Sequence, residues 1–499
     1  MALSDGQLPW QWPKELEGKL RHDPETLSLA STDYGNIVHE KPLAVFYPSS
    51  IADISLLIKF SNSLPTPFTI AARGQAHSVD GQAMALNGVV VNMTELNNYR
   101  NGSGIVVSEK ENYADVGGEQ IWIDLLHAAL QHGLTPLSWT DYLYLTVGGT
   151  LSNAGISGQT FLFGPQISNV HELDVITGKG DLVTCSAGNN SELFNAVLGG
   201  LGQFGIITRA RIALGPAPTR ANMNWLQAKW LRLVYRDFSA FSGDQEQLIS
   251  LNGKSPDYLE GHLLLNKPPL DLSFYPPPDH PRISSLLTQD GILYILELAK
   301  YYDNHSHTIV DKEVEELLSG LKFVPTFKFE RDVSYEDFLN RVPNEERALR
   351  SQARWDLPHP WLSMFVPKSR ISDFDQGVLK DILLKQNLTA QGLELIFPIN
   401  RNKWDDRMSA VTPDEDVFYA ASLLQSSVID HLEDLENQNN QILQFCKDSG
   451  IQVKLYLHKY KSQEEWMEHF GPKWKKFQQM KAEFDPRKLL SPGQEIFTN

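Results

Sequence analysis

The chain has 499 residues, 41% hydrophobic and 21% charged, the balance of a soluble globular protein, and its length exceeds one ordinary core, implying two domains. A formal charge of −17 at pH 7 argues against nucleic acid or an anionic membrane as partner, and no apolar run approaches the roughly 18 residues of a membrane span. Cys185 and Cys446 are the only cysteines, too few for a disulfide framework or a zinc site; they read as two separate buried thiols or as one disulfide, and no metal is expected.

The first residues, Met1 to Gln7, have no basic start and no apolar core, so no secretory signal is read there. Sequons at Asn92, Asn101, Asn189, Asn304 and Asn387 would permit glycosylation in a secreted form. Ser50-Ile51-Ala52-Asp53 has the form of a helix start, and Ile54, Leu57 and Ile58 share one face of the predicted helix. Phe68 to Ala72 reads as a short buried strand and Gly88 to Met93 as another. Between them, Arg73-Gly74-Gln75-Ala76-His77-Ser78 carries an imidazole and a hydroxyl through a turn of small residues, where a ligand can approach the backbone. A helix is predicted from Gln120 to His132, stopped by Gly133. Then comes Trp139-Thr140-Asp141-Tyr142-Leu143-Tyr144-Leu145-Thr146-Val147-Gly148-Gly149-Thr150-Leu151-Ser152-Asn153, about sixty residues beyond the first turn. Further glycine-rich turns recur at Gly117-Gly118, Gly199-Gly200 and Gly202, places where N–H groups can meet a phosphate or a ring edge.

Leu214-Gly215-Pro216-Ala217-Pro218 breaks this pattern and is read as a domain boundary. Beyond it, strand-like runs at Leu231–Tyr235 and Ile292–Leu298 alternate with longer amphipathic helices, an α+β pattern. The proline clusters at Lys267-Pro268-Pro269 and Tyr275-Pro276-Pro277-Pro278 read as surface loops. Ser462-Gln463-Glu464-Glu465 opens a helix, and the chain closes on Phe484-Asp485-Pro486-Arg487-Lys488-Leu489-Leu490-Ser491-Pro492-Gly493-Gln494.

His77 taken alone is a surface turn histidine or a functional one. Asp141 is a turn or capping carboxylate, or a proton-transfer group whose pKa burial among aromatics would raise. Glu260, in Asp257-Tyr258-Leu259-Glu260-Gly261, is an exposed strand glutamate or a ligand contact. Trp361, in His359-Pro360-Trp361-Leu362-Ser363, is a core residue or a pocket wall.

The two segments at 73–78 and 139–155, with the closing Leu-Ser-Pro-Gly-Gln, together resemble the plant cytokinin dehydrogenases, FAD-linked oxidases of the vanillyl-alcohol oxidase type. The resemblance runs from about Tyr34 to Phe497. It implies a two-domain fold: a discontinuous FAD-binding domain over residues 1–217 and 457–499, its PCMH-type core about 37–217, and a cytokinin-binding α+β domain over 218–456. It implies FAD bonded covalently through His77, with Ala72, Gly74, Gln75, Ala76, Ser78, Gln82, Asp141, Thr146, Ser152, Ile156, Ile207, Tyr456, Ser491 and Gln494 around it. Asp141 would take the proton of the substrate's secondary amine, Glu260 would meet the purine edge at the pocket mouth, and Trp361 and Leu457 would help hold the adenine end. The implied reaction removes the N6 side chain of isopentenyladenine- or zeatin-type cytokinins, with a quinone or oxygen as electron acceptor, in a monomer of the secretory pathway; without a signal, a cytosolic enzyme is the alternative.

Four departures accompany the resemblance. Ala76 stands where glycine is usual, which is unfavourable if that position needs a positive φ. Ser363 replaces an asparagine and His458 a proline, and the stretch Arg220 to Trp230 is longer than the usual link. There are two rival readings: an FAD-linked oxidase of sugars, lactones or alkaloids, and a weakened FAD or cytokinin binder without turnover.

Overall fold

The computed structural model describes residues 10–100, 104–217, 227–251, 253–267, 270–303, 307–351, 356–386, 388, 391–427, 431–457 and 459–497. The N-terminal stretch Met1 to Gln7, the sequons at Asn101, Asn304 and Asn387, Pro268 and Pro269, the first part of the Arg220–Trp230 link, and His458 lie outside them.

Among the described residues, three sheets organise the fold. The first contains Leu20–Arg21, Ala44–Phe46, Val89–Asn92 and Ile70–Arg73, with the last three strands parallel. Helix Ile51–Ser63 joins Ala44–Phe46 to Ile70–Arg73; Ser50 caps it by accepting from the Asp53 N–H, and Ile54, Leu57 and Ile58 are fully buried, as their spacing predicts. The second sheet is antiparallel and centred on Gly205–Pro216, flanked by Tyr113–Gly117 and Val170–Thr177. The third is an eight-stranded sheet whose central strands, Tyr258–Leu265 and Ile292–Tyr302, are almost wholly buried.

Several boundaries move. The helix expected from Gln120 to His132 spans Trp122–Leu130, with Gly133 past its end at φ +66°. Strand Gly205–Pro216 runs into the stretch read as a domain boundary, Leu214 to Pro218: Leu214, Gly215 and Pro216 pair with Pro136, Thr135 and Leu134. Pro277 and Pro278, read as loop, open a 3-10 turn that leads into helix His280–Asp290, where a fixed φ suits the first turn. Both cysteines are free and buried. No helix among the described residues is long and apolar enough to cross a membrane.

The C-terminal segment returns to the first sheet. The Ile70 N–H donates to the Leu489 carbonyl at 2.8 Å, and the Ser491 N–H donates to the Ile70 carbonyl at 3.0 Å. Helix Gln463–Phe470 starts with the reciprocal Ser462–Glu465 capping box. Buried apolar residues of the second and third sheets form one continuous cluster. The two layers are thus packed through a shared core that fixes the cavity between them.

Candidate active site

The turn after strand Ile70–Arg73 is clamped by the segment before it. Arg73 donates to the carbonyls of Thr32 (2.7 Å) and Leu29 (2.9 Å). The N–H groups of Tyr34 and Gly35 donate to the carbonyls of Ala76 and Ser78, and the Ser78 hydroxyl donates to Asp33 at 2.7 Å. Ala76 has φ +56°, so its methyl sits in the left-handed region at a cost of about 1 kcal/mol.

This geometry holds His77 in an aromatic stack. Tyr34 lies nearly parallel to His77 on one face and to His359 on the other, at centroid distances of 4.0 and 4.1 Å. Tyr142 covers His77 at 4.7 Å and Trp361 stands at 6.1 Å. Trp361, expected at the adenine end, thus also lies near the imidazole. Burial, with His359 nearby, pushes the His77 pKa down to about 3, so the ring is neutral at physiological pH.

A cavity of about 1010 Å³ opens from this turn. It is lined by Ala72, Gly74, Gln75, Ala76, His77, Ser78, Gln82, Asp141, Thr146, Ser152, Ile156, Ile207, Glu260, Trp361, Tyr456, Leu457, Ser491 and Gln494, so every residue singled out in the sequence faces one space. At the FAD end its walls include glycines packed closely against short side chains. A Cβ on Gly74 would run into the Thr146 side chain, and one on Gly202, at φ +69°, into the Ser491 hydroxyl. Gln82 donates to the Leu457 carbonyl at 3.0 Å, fixing Leu457 at φ +65°. Such a long, glycine-walled cleft, with a neutral histidine in its wall, fits a flavin dinucleotide.

The far end carries the charges. Asp141 and Glu260 come together at Arg341, which the sequence reading missed. Arg341 Nη2 lies 2.9 Å from Asp141 Oδ1 and 3.7 Å from Glu260 Oε2, and its Nε lies 3.8 Å from Glu297 Oε1. It also donates to the Tyr258 hydroxyl. Glu260 was expected at the mouth; it is 3% exposed and faces the same guanidinium as Asp141. Burial raises the Asp141 pKa, as expected, but Arg341 opposes the rise. Glu260 is pushed well above the usual carboxylate range, first by burial and then by the Asp141 charge. Glu297, equally buried, is held below that range because Arg232 and Arg341 outweigh its desolvation. The arrangement leaves one carboxylate ready to accept a proton and a neighbour ready to donate one.

Glu297 left a trace in the sequence: it is the one charge in the run Ile292–Leu298, a strand whose residues are otherwise apolar. Arg341, just after the short helix Tyr335–Leu339, and Tyr34 left none.

Two family models match the chain. "Cytokinin dehydrogenase 1, FAD and cytokinin binding" matches residues 226–497, and an FAD-binding domain matches residues 42–186. Cytokinin dehydrogenase 4 of Arabidopsis thaliana is 53% identical over 95% of this chain and 91% of its own. Cytokinin dehydrogenase 2 of the same plant is 53% identical over 97% and 95%. A VAO-type flavoprotein from Myceliophthora thermophila superposes with a TM-score of 0.64 at 14% identity, over 90% of this chain and 79% of that one, a likeness of fold alone. With its FAD-shaped cleft and paired carboxylates, the chain belongs to the cytokinin dehydrogenases, FAD-dependent oxidoreductases.

Proposed function

We propose that this enzyme oxidises the CH–NH bond of N6-isopentenyladenine-type cytokinins, with Asp141 as the proton acceptor. The observation that carries the reading is the convergence of His77, the glycine-walled cleft, Asp141 and Glu260 on one cavity. The glycine-walled cleft would hold FAD, which would supply two-electron acceptor chemistry with a quinone or oxygen as the final acceptor. The protein's share is to position and polarise. Asp141 takes the proton from N6 as hydride leaves the adjacent side-chain carbon, so the C–N single bond becomes an imine. Water then adds to the imine carbon, and the C–N bond breaks to give adenine and an unsaturated aldehyde such as 3-methylbut-2-enal. Glu260, protonated in its buried position, is suited to donate to a purine nitrogen, while Trp361 and Leu457 wall the ring. Neutral His77 is the group suited to bond the flavin's 8-methyl carbon.

We assign residues 1–217 and 457–499 to FAD and 218–456 to the substrate. The exposed sequon at Asn189 supports a secreted form, and the chain is read as a monomer.

The deciding experiment is acid precipitation of the purified enzyme beside turnover of isopentenyladenine with a quinone acceptor. Yellow flavin in the pellet and aldehyde release support the tether and the reaction. Flavin in the supernatant with turnover assigns a lost tether to the Ala76 methyl. Flavin-loaded protein that leaves cytokinins untouched, yet oxidises a sugar or lactone, overturns the substrate assignment. Asp141→Asn is expected to cut kcat by roughly 10²–10⁴-fold while keeping flavin bound.

A further inference from the structure

We propose that Arg341 is a positioning residue that makes Asp141, and not Glu260, the ionised member of the carboxylate pair. The inference rests on the role given to Asp141 above and adds what sets it.

The argument starts from a charge count in a buried cluster. Three carboxylates meet there: Asp141 from the loop after Trp139, Glu260 from strand Tyr258–Leu265, and Glu297 from strand Ile292–Tyr302. Two guanidiniums face them, Arg341 and Arg232, the latter 2.7 Å from Glu297. The other titratable groups in the cluster are uncharged near neutrality: Tyr258, Tyr275 and Tyr301, the Tyr456 phenol, and His262, which burial and Arg232 hold down to about 3; of the nearby carboxylates, Asp271 is exposed and Asp257 is paired with Lys300 at 3.5 Å. Three negative charges against two positive ones leave one excess carboxylate among largely buried side chains. Binding a single proton removes the excess.

Geometry decides which carboxylate holds that proton. Glu297 is paired on both sides, by Arg232 at 2.7 Å and Arg341 at 3.8 Å. Asp141 has Arg341 at hydrogen-bonding distance, 2.9 Å, whereas Glu260 has it only at 3.7 Å. Glu260 is also the more buried of the pair, its side chain 4% exposed against 28% for Asp141. Both differences put the proton on Glu260 and leave Asp141 as carboxylate. Arg341 itself has little freedom, because it is wedged between the rings of Tyr258 and Phe338, 5.0 and 5.1 Å from their centroids, and donates to the Phe338 carbonyl.

The test compares wild type, R341K and R341M, each loaded with flavin, by two readouts. One is the pH profile of kcat/KM for isopentenyladenine; the other is a pH titration of the flavin's visible spectrum without substrate. Loss of the guanidinium makes Asp141 harder to ionise, so the acidic limb and the spectral transition of R341M are expected to move up by at least one pH unit. R341K, which keeps the charge but not the fork, is expected to move less. A merely structural arginine would lower melting temperature and flavin content without moving either curve. Unmoved curves in R341M, with only KM raised, overturn the proposal; if R341M does not fold, an unmoved spectral transition in R341K does so. Should wild type fail to turn over the cytokinin, the substrate reading falls, and the spectral titration still decides the role of Arg341.

Discussion

Tyr34 and His77 stack face to face with ring centroids 4.0 Å apart and planes within 11° of parallel. The pair joins distant parts of the chain, because the far face of Tyr34 rests on His359, whose N–H donates to the Gly35 carbonyl. A buried aromatic pair contributes about 0.5–1.5 kcal/mol beyond its area. Its larger consequence here is orientational: the imidazole plane is set before any cofactor enters. Tyr34→Leu is expected to lower the fraction of covalent flavin several-fold, and Tyr34→Phe to preserve it. In-gel flavin fluorescence after acid precipitation measures this directly. Equal labelling of both variants would show that the stack does not orient His77.

Ala76 bears on the same step from the backbone side. At φ +56° glycine has no steric penalty, so Ala76→Gly should stabilise the turn by about 0.5–1 kcal/mol, partly offset by glycine's greater freedom in the unfolded chain. The expected outcome is a small rise in melting temperature and faster flavin incorporation into apoprotein, measured by acid quench at timed intervals. A lower melting temperature would mean that the methyl makes contacts outweighing its strain.

Buried histidines set part of the acid response. His469 is 8% exposed beside Tyr460, and burial pushes its pKa down to about 3. The unfolded value is about 6.5. Between those values the unfolded chain binds the proton and the folded one does not, so this group's effect is to lower stability as pH falls from about 6.5 towards 3, with no effect above 6.5. His469→Gln should remove one proton from the uptake on unfolding, about 1.4 kcal/mol per pH unit. Denaturant titrations at pH 7 and pH 5 give the comparison. Parallel pH slopes for variant and wild type would refute the buried neutral state.

Legibility in the sequence depended on the range of the interactions. The turn at 73–78, the 139–155 segment and Leu489–Gln494 could be tied together because their motifs resemble those of one family, and all three arrive at the same cavity. The helix at Ile51–Ser63 was readable from its cap and its apolar spacing. Arg341 was not, since what makes it important is the meeting of Asp141, Glu260 and Glu297, three residues from separate elements. The depth of Glu260 was hidden for a similar reason: a strand buried on both faces shows no alternation to say which side chains meet a ligand. Within the boundary stretch 214–218, the glycine and proline did not reveal that the strand continues to Pro216, with Leu214 opposite Pro136.

The return of the C-terminus depends on one buried ion pair. Lys481 lies 2.8 Å from Asp485, with side chains 4% and 0% exposed. The ammonium also donates to the carbonyls of Gln203 (3.0 Å) and Leu490 (3.3 Å), while the two Asp485 oxygens accept from the N–H groups of Leu489 and Leu490 at 2.9 Å each. This clamp holds Ser491 where its hydroxyl donates to the Gly202 carbonyl, and so fixes one wall of the FAD cleft. Removing one partner leaves the other charge buried without compensation, at a cost of about 3–5 kcal/mol. Lys481→Met is therefore expected to destabilise the protein by that amount and to release FAD from any molecule not covalently linked. The double variant Lys481→Met/Asp485→Leu also removes the stranded charge, but it loses the two N–H acceptors and should recover stability only in part. Denaturant midpoints and flavin retained on gel filtration separate the cases: a single variant as stable and as yellow as wild type would show that the Ile70–Ser491 pairing alone holds the C-terminal wall.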